Sequence, residues 1–96
     1  MSRIAFVNGA YLPHACSTVH IEDRGYQFAD GVYEVFAVID NKLVDYNAHI
    51  NRLMRSLSEL QIKLPYSRRS IFFHISNIIK QNLISNGLIY LQITRG

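Results

Sequence analysis

The chain has 96 residues, of which 49% are hydrophobic and 18% charged, and its formal net charge is +3. This balance predicts one folded domain, and the low share of charged residues suggests a surface that meets another surface. The basic residues are scattered rather than gathered in a stripe, which disfavours nucleic-acid binding. No apolar run approaches the ~20 residues of a membrane helix, so we expect no membrane partner.

The first predicted element is a β-hairpin. Residues 4–7 and 10–12 are apolar runs joined by Asn8-Gly9. Both turn residues tolerate positive φ, as two-residue hairpin turns require. Pro13 is expected to end the second strand, because proline cannot donate to a sheet.

The next segments lead to a central strand. Residues 17–21 could form another short extended piece, and residues 22–31 are typical of an ordered loop. Residues 32–39 are apolar except for Glu34, a pattern that predicts a strand covered on both faces. Asp40-Asn41 supplies the following turn, and residues 43–46 are expected to return antiparallel.

Two amphipathic helices are predicted next. Asn47 is the expected cap of the first, which Pro65 closes. Ser67 is the expected cap of the second, and Asn86-Gly87 is its expected stop. Each helix has an apolar stripe at helical spacing. The stripes are Ile50, Leu53, Met54, Leu57 and Leu60, and then Ile71, Ile75, Ile78, Ile79 and Leu83.

The order of these elements predicts the fold class. Residues 88–94 are typical of a buried strand, so strands precede two helices and a strand follows them. This order favours an α+β fold in which a mainly antiparallel sheet packs against two α-helices. We predict that residues 1–96 form a single domain. The final strand runs to Gly96, which suggests a cut chain, although a natural terminus docked in a sheet has the same pattern.

Taken singly, the polar residues do not define a catalytic site. The sequence has no glycine-rich phosphate loop and no nucleophile motif. Its one cysteine, Cys16, excludes an internal disulfide and fits a cytoplasmic location. We predict no metal site, because the histidines lack ligand-like spacing with Cys, Asp or Glu. These histidines are His14, His20, His49 and His74.

Two motifs are distinctive together. Residues 22–34 read Glu-Asp-Arg-Gly-Tyr-Gln-Phe-Ala-Asp-Gly-Val-Tyr-Glu, and residues 49–53 read His-Ile-Asn-Arg-Leu. This pairing resembles the N-terminal signature of class IV, or fold-type-IV, pyridoxal-phosphate-dependent aminotransferases. Asn8-Gly9, residues 40–42 and residues 91–96 support the resemblance, which covers nearly the whole chain.

Within that family the D-amino acid aminotransferases are most similar. Branched-chain enzymes usually have a Phe-Glu-Gly-type continuation where this chain has Tyr-Glu-Val at residues 33–35. Aminodeoxychorismate lyases tend to lack the Tyr-Glu pair. This chain departs from the family pattern at Ala29, where the family commonly has glycine. The departure affects only the expected backbone geometry of the loop at residues 22–31. Arg24 is expected to organise that loop, and Arg95 to have a structural role.

The resemblance implies roles for particular residues. Arg52 matches the family arginine that holds the phosphate of pyridoxal 5'-phosphate, for which a guanidinium fork is well suited. Tyr33 matches an active-site tyrosine near the substrate. A solvent-facing helix arginine and an ordinary core tyrosine are the respective alternatives. His49 is expected either to orient Arg52 or to pack at the helix start, and Glu34 to pair with a cation.

The resemblance also implies what the 96 residues lack. The intact enzyme would transfer an amino group between a (D-)amino acid and a 2-oxo acid, as a homodimer or another self-associated assembly. The family's Schiff-base lysine lies downstream of the matched region, and none of Lys42, Lys63 and Lys80 has a suitable apolar setting. We therefore predict that the C-terminal catalytic domain is absent and that this chain alone neither binds the cofactor nor transaminates.

Three other identities remain open at this point. The chain resembles a fragment of a branched-chain amino acid aminotransferase or of an aminodeoxychorismate lyase less closely than one of a D-amino acid aminotransferase. A non-catalytic, self-associating module is the third, because the final strand is apolar and the surface carries few charges.

Overall fold

The strands and the two long helices follow one another in the predicted order in the computed structural model, which describes residues 3–96. The strands are β1 (Ile4–Val7), β2 (Ala10–Pro13), β3 (Gly31–Ile39), β4 (Lys42–Leu43) and β5 (Gly87–Thr94). The helices are α1 (Arg24–Phe28), α2 (Tyr46–Leu60) and α3 (Arg68–Gln81), and a 3-10 turn covers His14–Cys16. Strands pair antiparallel throughout residues 3–96, which confirms the α+β prediction.

The hairpin of β1 and β2 forms its own two-stranded sheet. Asn8 and Gly9 have φ angles of 49° and 91°, so the predicted turn is confirmed. The hairpin is fixed to the end of α3 by Asn82. The Asn82 side chain accepts from the Ile4 amide at 2.8 Å and donates to the Ile4 carbonyl at 2.9 Å.

A group of aromatic rings joins the hairpin to α3. The ring of His74 stacks on Phe6 with centroids 4.3 Å apart. The Tyr11 hydroxyl lies 2.6 Å from Nδ1 of His74 and accepts a hydrogen bond from Asn77 at 3.1 Å. The Tyr11 hydroxyl thus bridges two side chains of α3, those of His74 and Asn77. His74 is therefore a packing residue.

The second sheet has three strands in the order β4-β3-β5. β3 pairs with β5 over its length, from Gly31 opposite Thr94 to Val38 opposite Gly87. One face of this sheet packs against α2 and α3, and the hydrophobic core lies between them. The buried hydrophobic residues are Phe36, Val38, Ile50, Leu53, Leu57, Ile71, Ile75 and Ile89.

The other face of the three-stranded sheet is open. The prediction that β3 is covered on both faces is therefore wrong, as is the prediction of a fully buried β5. Both long helices pack on the same side, and successive side chains of a strand alternate between faces. The exposed apolar residues of the uncovered side, called here the open face, are Tyr33, Val35, Ile39, Leu88 and Tyr90.

The start of α2 differs from the prediction. The helix begins at Tyr46, and its N-cap is Asp45 rather than Asn47. Asp45 has a left-handed backbone (φ 54°) and forms no capping hydrogen bond through its side chain. The returning strand, predicted at residues 43–46, is instead the two-residue β4 at Lys42–Leu43, because the helix already begins at Tyr46.

The start of α3 is predicted well and its end is not. Ser67 is the N-cap and accepts from the Ser70 amide at 3.1 Å, as expected. The helix ends at Gln81, however, and Leu83 is left-handed and exposed. Asn82 stops the helix because its side chain turns back to the Ile78 carbonyl and across to the hairpin.

Residues 17–30 contain one helical turn that the sequence did not predict. No strand forms at residues 17–21. α1 begins where Asp23 accepts from the Gly25 amide at 2.8 Å, and it ends at Ala29, whose φ is 53°. A short Asp-capped turn is difficult to distinguish from a loop by periodicity.

Within residues 3–96, none of the helices is long and apolar enough to cross a bilayer.

Candidate functional site

A buried carboxylate lies under two basic side chains at the start of α2. Glu34 of β3 is 4% exposed, and within residues 3–96 it is the one charged residue that is buried. Arg52 donates from Nε to Glu34 Oε2 at 2.8 Å and from Nη2 to Oε1 at 2.7 Å. His49 Nδ1 lies 2.7 Å from the same Oε1. Glu34 thus meets a cation, as expected.

The packing of α2 on β3 brings these residues together. Glu34 alternates with Tyr33 and Val35, so it points to the helix side of the sheet. His49 and Arg52 are three residues apart and share one face of α2. His49 also packs against the ring of Phe36, with centroids 5.0 Å apart. His49 therefore packs at the start of the helix and also contacts the carboxylate that holds Arg52.

Glu34 and Arg52 each stabilise the charged form of the other. Hydrogen bonds from Arg52 hold the pKa of the Glu34 carboxyl below its usual value, against the opposing effect of burial. The pKa of Arg52 is raised, first by its hydrogen bond to Glu34 and then by the charge of Glu34. An ionised carboxylate only accepts, so His49 carries its proton on Nδ1.

Arg52 extends outward from this anchor. Its side chain is 58% exposed, and its Nη1 has no hydrogen-bond partner within residues 3–96. It borders a shallow surface depression with a largely polar and basic lining. The lining residues are Asp45, Ala48, His49, Asn51, Arg52 and Arg55. This arrangement provides exposed N–H donors for an anionic group.

Tyr33 lies on the open face and is 64% exposed, so it is not a core tyrosine. Its ring stacks on Tyr90 of β5, with centroids 5.9 Å apart and an interplanar angle of 21°. The Tyr90 hydroxyl donates to Gln92 Oε1 at 2.7 Å. No hydrogen bond within residues 3–96 engages the Tyr33 hydroxyl, which leaves it free to meet a ligand.

The two predicted site residues are neighbours but do not touch through hydrogen bonds. Tyr33 and Glu34 are adjacent on β3 and point to opposite faces of the sheet. The structure therefore joins Arg52, His49 and Glu34 directly and places Tyr33 on the opposite face of the sheet.

The lysines lie apart from this group. Lys42, Lys63 and Lys80 are all exposed. Lys42 and Lys80 line a different depression, beside Tyr46. The Tyr46 hydroxyl is buried without a hydrogen-bond partner in residues 3–96, and burial raises its pKa.

Sequence reasoning missed some residues of the site. Arg55 and Asn51 line the depression, and Arg68 donates to Asn51 Oδ1 at 2.8 Å. The three-residue spacing of Arg52 and Arg55 on a predicted helix was a usable signal for Arg55. No comparable signal indicated Asn51 or Arg68, because their contact depends on how α3 packs beside α2.

Arg24 of α1 and Arg95, which follows β5, have the structural roles expected of them. Arg95 donates to both carboxylate oxygens of Asp30 and to the Leu60 carbonyl. Arg24 contacts the Gly96 carbonyl through its amide at 3.2 Å and its Nη1 at 3.3 Å. Within residues 3–96, no three His, Cys, Asp or Glu residues converge as metal ligands would.

Comparison with known proteins places these features in one family. The family model described as "Amino-transferase class IV" matches residues 31–96. A D-alanine aminotransferase of Listeria monocytogenes serotype 4b is 42% identical over 90 residues, covering 94% of this chain and 31% of that protein. One from Staphylococcus haemolyticus is 41% identical over 91 residues, covering 95% and 32%. The chain spans about a third of the length of the curated relatives it matches.

Solved structures share the fold. The branched-chain aminotransferase of the thermophilic archaeon Thermoproteus uzoniensis, solved with norvaline, superposes with a TM-score of 0.79. The match covers 96% of this chain and 32% of that one, at 17% sequence identity. At that identity the likeness establishes the fold alone.

Proposed function

This chain belongs to the amino-transferase class IV family, and from this premise we propose that it forms the N-terminal domain of a pyridoxal-phosphate-dependent aminotransferase. The whole enzyme would move an amino group between a D-amino acid and a 2-oxo acid. D-alanine aminotransferases at 41–42% identity over nearly all of the chain support this choice of substrate class. The family resemblance expected from residues 22–34 and 49–53 is confirmed.

The observation that carries the proposal is the fixed, outward-facing guanidinium of Arg52. Two of its N–H groups are held by Glu34, and Arg52 lines a depression together with Arg55. Planar N–H pairs of this kind fit the oxygens of a phosphate group. The donor set therefore suits the cofactor's phosphate, and we propose Arg52 as its ligand. When bound, the cofactor would supply the electron sink that amino transfer needs.

We propose Tyr33 as a substrate-facing residue of the whole enzyme. Its exposed phenol stands on the open face, held by stacking on Tyr90. A phenol can donate to a substrate carboxylate while its ring supplies apolar contact. The role is supported by exposure and by the absence of a hydrogen-bond partner in residues 3–96.

A branched-chain amino acid aminotransferase remains the runner-up substrate class. The structural neighbours named for that activity share only 14–17% identity with this chain. The sequence relatives at more than twice that identity are named D-alanine aminotransferases. An aminodeoxychorismate lyase is third, because the chain retains the Tyr-Glu pair at residues 33–34.

The test uses the whole enzyme that is proposed here. We expect the full protein to transaminate D-alanine with a 2-oxo acid and to lose about 10–100-fold in cofactor affinity as Arg52→Gln. Arg69→Gln, an exposed arginine on α3, is the matched control and should not change that affinity. Transamination of L-leucine but not D-alanine would reject the D-amino acid assignment. An unchanged cofactor affinity in Arg52→Gln would reject the phosphate role.

We propose that the 96 residues alone are inactive. The three lysines are exposed and none borders the Arg52 depression. The chain should therefore give no stoichiometric attachment of pyridoxal phosphate to one lysine after borohydride reduction, as read by peptide mass spectrometry. A single fully labelled lysine would contradict this.

Self-association is a second candidate function, and the open face favours it. Leu88 and Tyr90 project from β5 beside the exposed side chains of β3. Apolar patches of this kind mark surfaces that meet a partner. We propose a homodimer for the whole enzyme, and a cytoplasmic location in which the free, exposed Cys16 stays reduced.

Sedimentation of the 96-residue chain tests the self-association. The wild type should form dimers or larger species, and Leu88→Lys should shift it to monomer. Val19→Lys, on an exposed loop residue outside the open face, is the control. A wild type that stays monomeric at high concentration would exclude this candidate.

A further inference from the structure

Glu34 is an unusual residue for its position. It interrupts the apolar side of β3 that forms the core, between Val32 and Phe36. A buried carboxylate is costly unless it is paired and hydrogen-bonded. A hydrophobic side chain there would pack against α2 without that cost. The presence of a carboxylate therefore points to a task beyond packing.

The partners of Glu34 all lie on one surface. Its hydrogen bonds go to Arg52 and His49, both on α2, and both partners lie on the side of the depression. Glu34 is itself 4% exposed, and Phe36, the next residue on the same side of β3, is fully buried. The Glu34 carboxylate is therefore buried in the domain, and its hydrogen-bond partners are the two basic side chains of α2.

The pairing also decides which edge of Arg52 is left over. A guanidinium has two edges that can each present a pair of N–H groups. Glu34 occupies the edge made by Nε and one hydrogen of Nη2. Nη2 also lies 3.5 Å from His49 Nδ1, but that nitrogen donates to Glu34 and cannot accept a hydrogen bond. The other edge, made by Nη1 and the second hydrogen of Nη2, therefore remains for an outside ligand. Since both carboxylate bonds are 2.8 Å or shorter, the plane of the group is set before any ligand arrives.

We propose that Glu34 is a positioning residue that holds Arg52 in the orientation in which its remaining edge binds the cofactor phosphate, with His49 steadying the carboxylate. This inference rests on the proposed function. Arginine has a long, flexible side chain, and ordering it in advance reduces the entropy lost on binding. Glu34 acts through Arg52 and does not itself touch the cofactor.

A positioning role for Glu34 predicts a change in phosphate affinity opposite to the one that its charge alone predicts. Replacing Glu34 by glutamine removes a negative charge from beneath the phosphate site. Coulombic attraction alone would then make a phosphate bind more tightly. Loss of orientation makes it bind more weakly. The direction of the change therefore separates the two effects.

The experiment uses the full-length aminotransferase and two probes, pyridoxal 5'-phosphate and pyridoxal, which lacks the phosphate. We expect Glu34→Gln to weaken binding of pyridoxal 5'-phosphate about tenfold, from the cost of ordering one long side chain on binding, and to leave pyridoxal unchanged. Fluorescence titration of the apo-protein gives both dissociation constants. Glu59→Gln, an exposed carboxylate on the same helix, is the control and should alter neither.

Different failures have different meanings. If Arg52→Gln weakens pyridoxal 5'-phosphate and Glu34→Gln does not, the positioning role is wrong while the phosphate role of Arg52 stands. If neither variant changes that affinity, the proposed function of Arg52 fails first. Equal weakening of both probes by Glu34→Gln would also overturn the inference, because the effect of Glu34 would then not act through the phosphate.

A measurement on the wild type covers the case in which Glu34→Gln does not fold. The Nε–H resonance of Arg52 in nitrogen-15 NMR reports whether the side chain is ordered. We expect slow solvent exchange before any ligand is added, and a shift on adding pyridoxal 5'-phosphate but not pyridoxal. Rapid exchange in the ligand-free protein would overturn the proposal.

Discussion

Asp30 and Arg95 are 65 positions apart in the sequence and form a two-bonded ion pair, with Nε to Oδ2 at 2.6 Å and Nη2 to Oδ1 at 3.2 Å. The pair joins the segment before β3 to the residue after β5. Arg95 also donates from Nη2 to the Leu60 carbonyl at 2.6 Å, in the last turn of α2. One exposed side chain thus connects three elements that meet at this edge of the domain.

Replacing Arg95 by methionine should loosen the end of α2. The Leu60 carbonyl loses its donor, and helix C-terminal carbonyls need partners. Amide hydrogen exchange should become faster in the last turn of α2 and in residues 24–30, while β1 and β2 keep their protection. Arg55→Met, in the middle of the same helix, should leave the pattern as it is. Uniform exchange across the domain in Arg95→Met would contradict the local role.

Ala29→Gly should stabilise the domain. Ala29 has a φ of 53°, a left-handed conformation that costs a non-glycine residue roughly 1–2 kcal/mol. The extra flexibility of glycine in the unfolded chain offsets roughly 0.5–1 kcal/mol of that gain. We expect a net increase of about 0.5–1 kcal/mol in the free energy of unfolding, measured by urea denaturation. Ala48→Gly, within α2, should instead lower it, and a lower value for Ala29→Gly would refute the argument.

Gly31→Ala should destabilise the domain where β3 meets β5. A β-carbon there would lie 2.8 Å from the Ile93 carbonyl oxygen, which belongs to a paired strand and cannot move easily. We expect a loss of about 1–3 kcal/mol, the range for overpacked sites. Gly87→Ala is the comparison, because its β-carbon would meet only the Ile84 side chain, at 3.2 Å. Equal losses in the two variants would show that the close carbonyl is not the cause.

Acid should remove the stability that Glu34 contributes. The pKa of Glu34 is lowered in the folded chain, chiefly by hydrogen bonds from Arg52. A lowered folded pKa means that the contribution is complete above the unfolded value of about 4.3 and is lost as pH falls through the folded value. The free energy of unfolding should therefore drop more steeply below that pH in the wild type than in Glu34→Gln. Parallel pH profiles would contradict an ionised, stabilising Glu34.

Tyr33→Phe should lower the catalytic efficiency of the whole enzyme toward its amino acid without changing the stability of the fold. Phenylalanine keeps the stacking on Tyr90 and loses the hydroxyl. If that hydroxyl donates to the substrate, kcat/KM should fall roughly fivefold to tenfold, the worth of one hydrogen bond. The melting temperature should be unchanged. Tyr66→Phe, in the aromatic group beneath the hairpin, is the control for loss of a hydroxyl elsewhere.

Local backbone chemistry made part of the fold predictable. Asn8-Gly9 and Asp40-Asn41 lie in turns with positive φ, and Ser67 caps α3. Each of these residues determines the backbone conformation only of its near neighbours in the sequence, so the local sequence is enough to predict the turn or cap. The cap of α2 was not predictable in this way, because Asp45 adopts a left-handed backbone and makes no side-chain bond. A rule based on capping hydrogen bonds then selects Asn47.

Features that depend on packing were harder to predict. The apolar pattern of β3 is the same whether or not a second layer covers Tyr33 and Val35, so the open face was not foreseen. The sequence indicated that Glu34 would pair with a cation, and the family resemblance singled out Arg52. That these two residues pair with each other follows only from the placement of α2 across β3.

The pairing of Gly31 with Thr94 has a consequence for how the domain assembles. These partners enclose both long helices, so the three-stranded sheet closes a loop of most of the chain, and such distant closure is slow. β3 and α2 are close in sequence and can meet first, through Phe36 and Leu53. On the ribosome, one edge of β3 therefore stays unpaired until β5 has emerged, and an unpaired strand edge makes a nascent chain prone to aggregate.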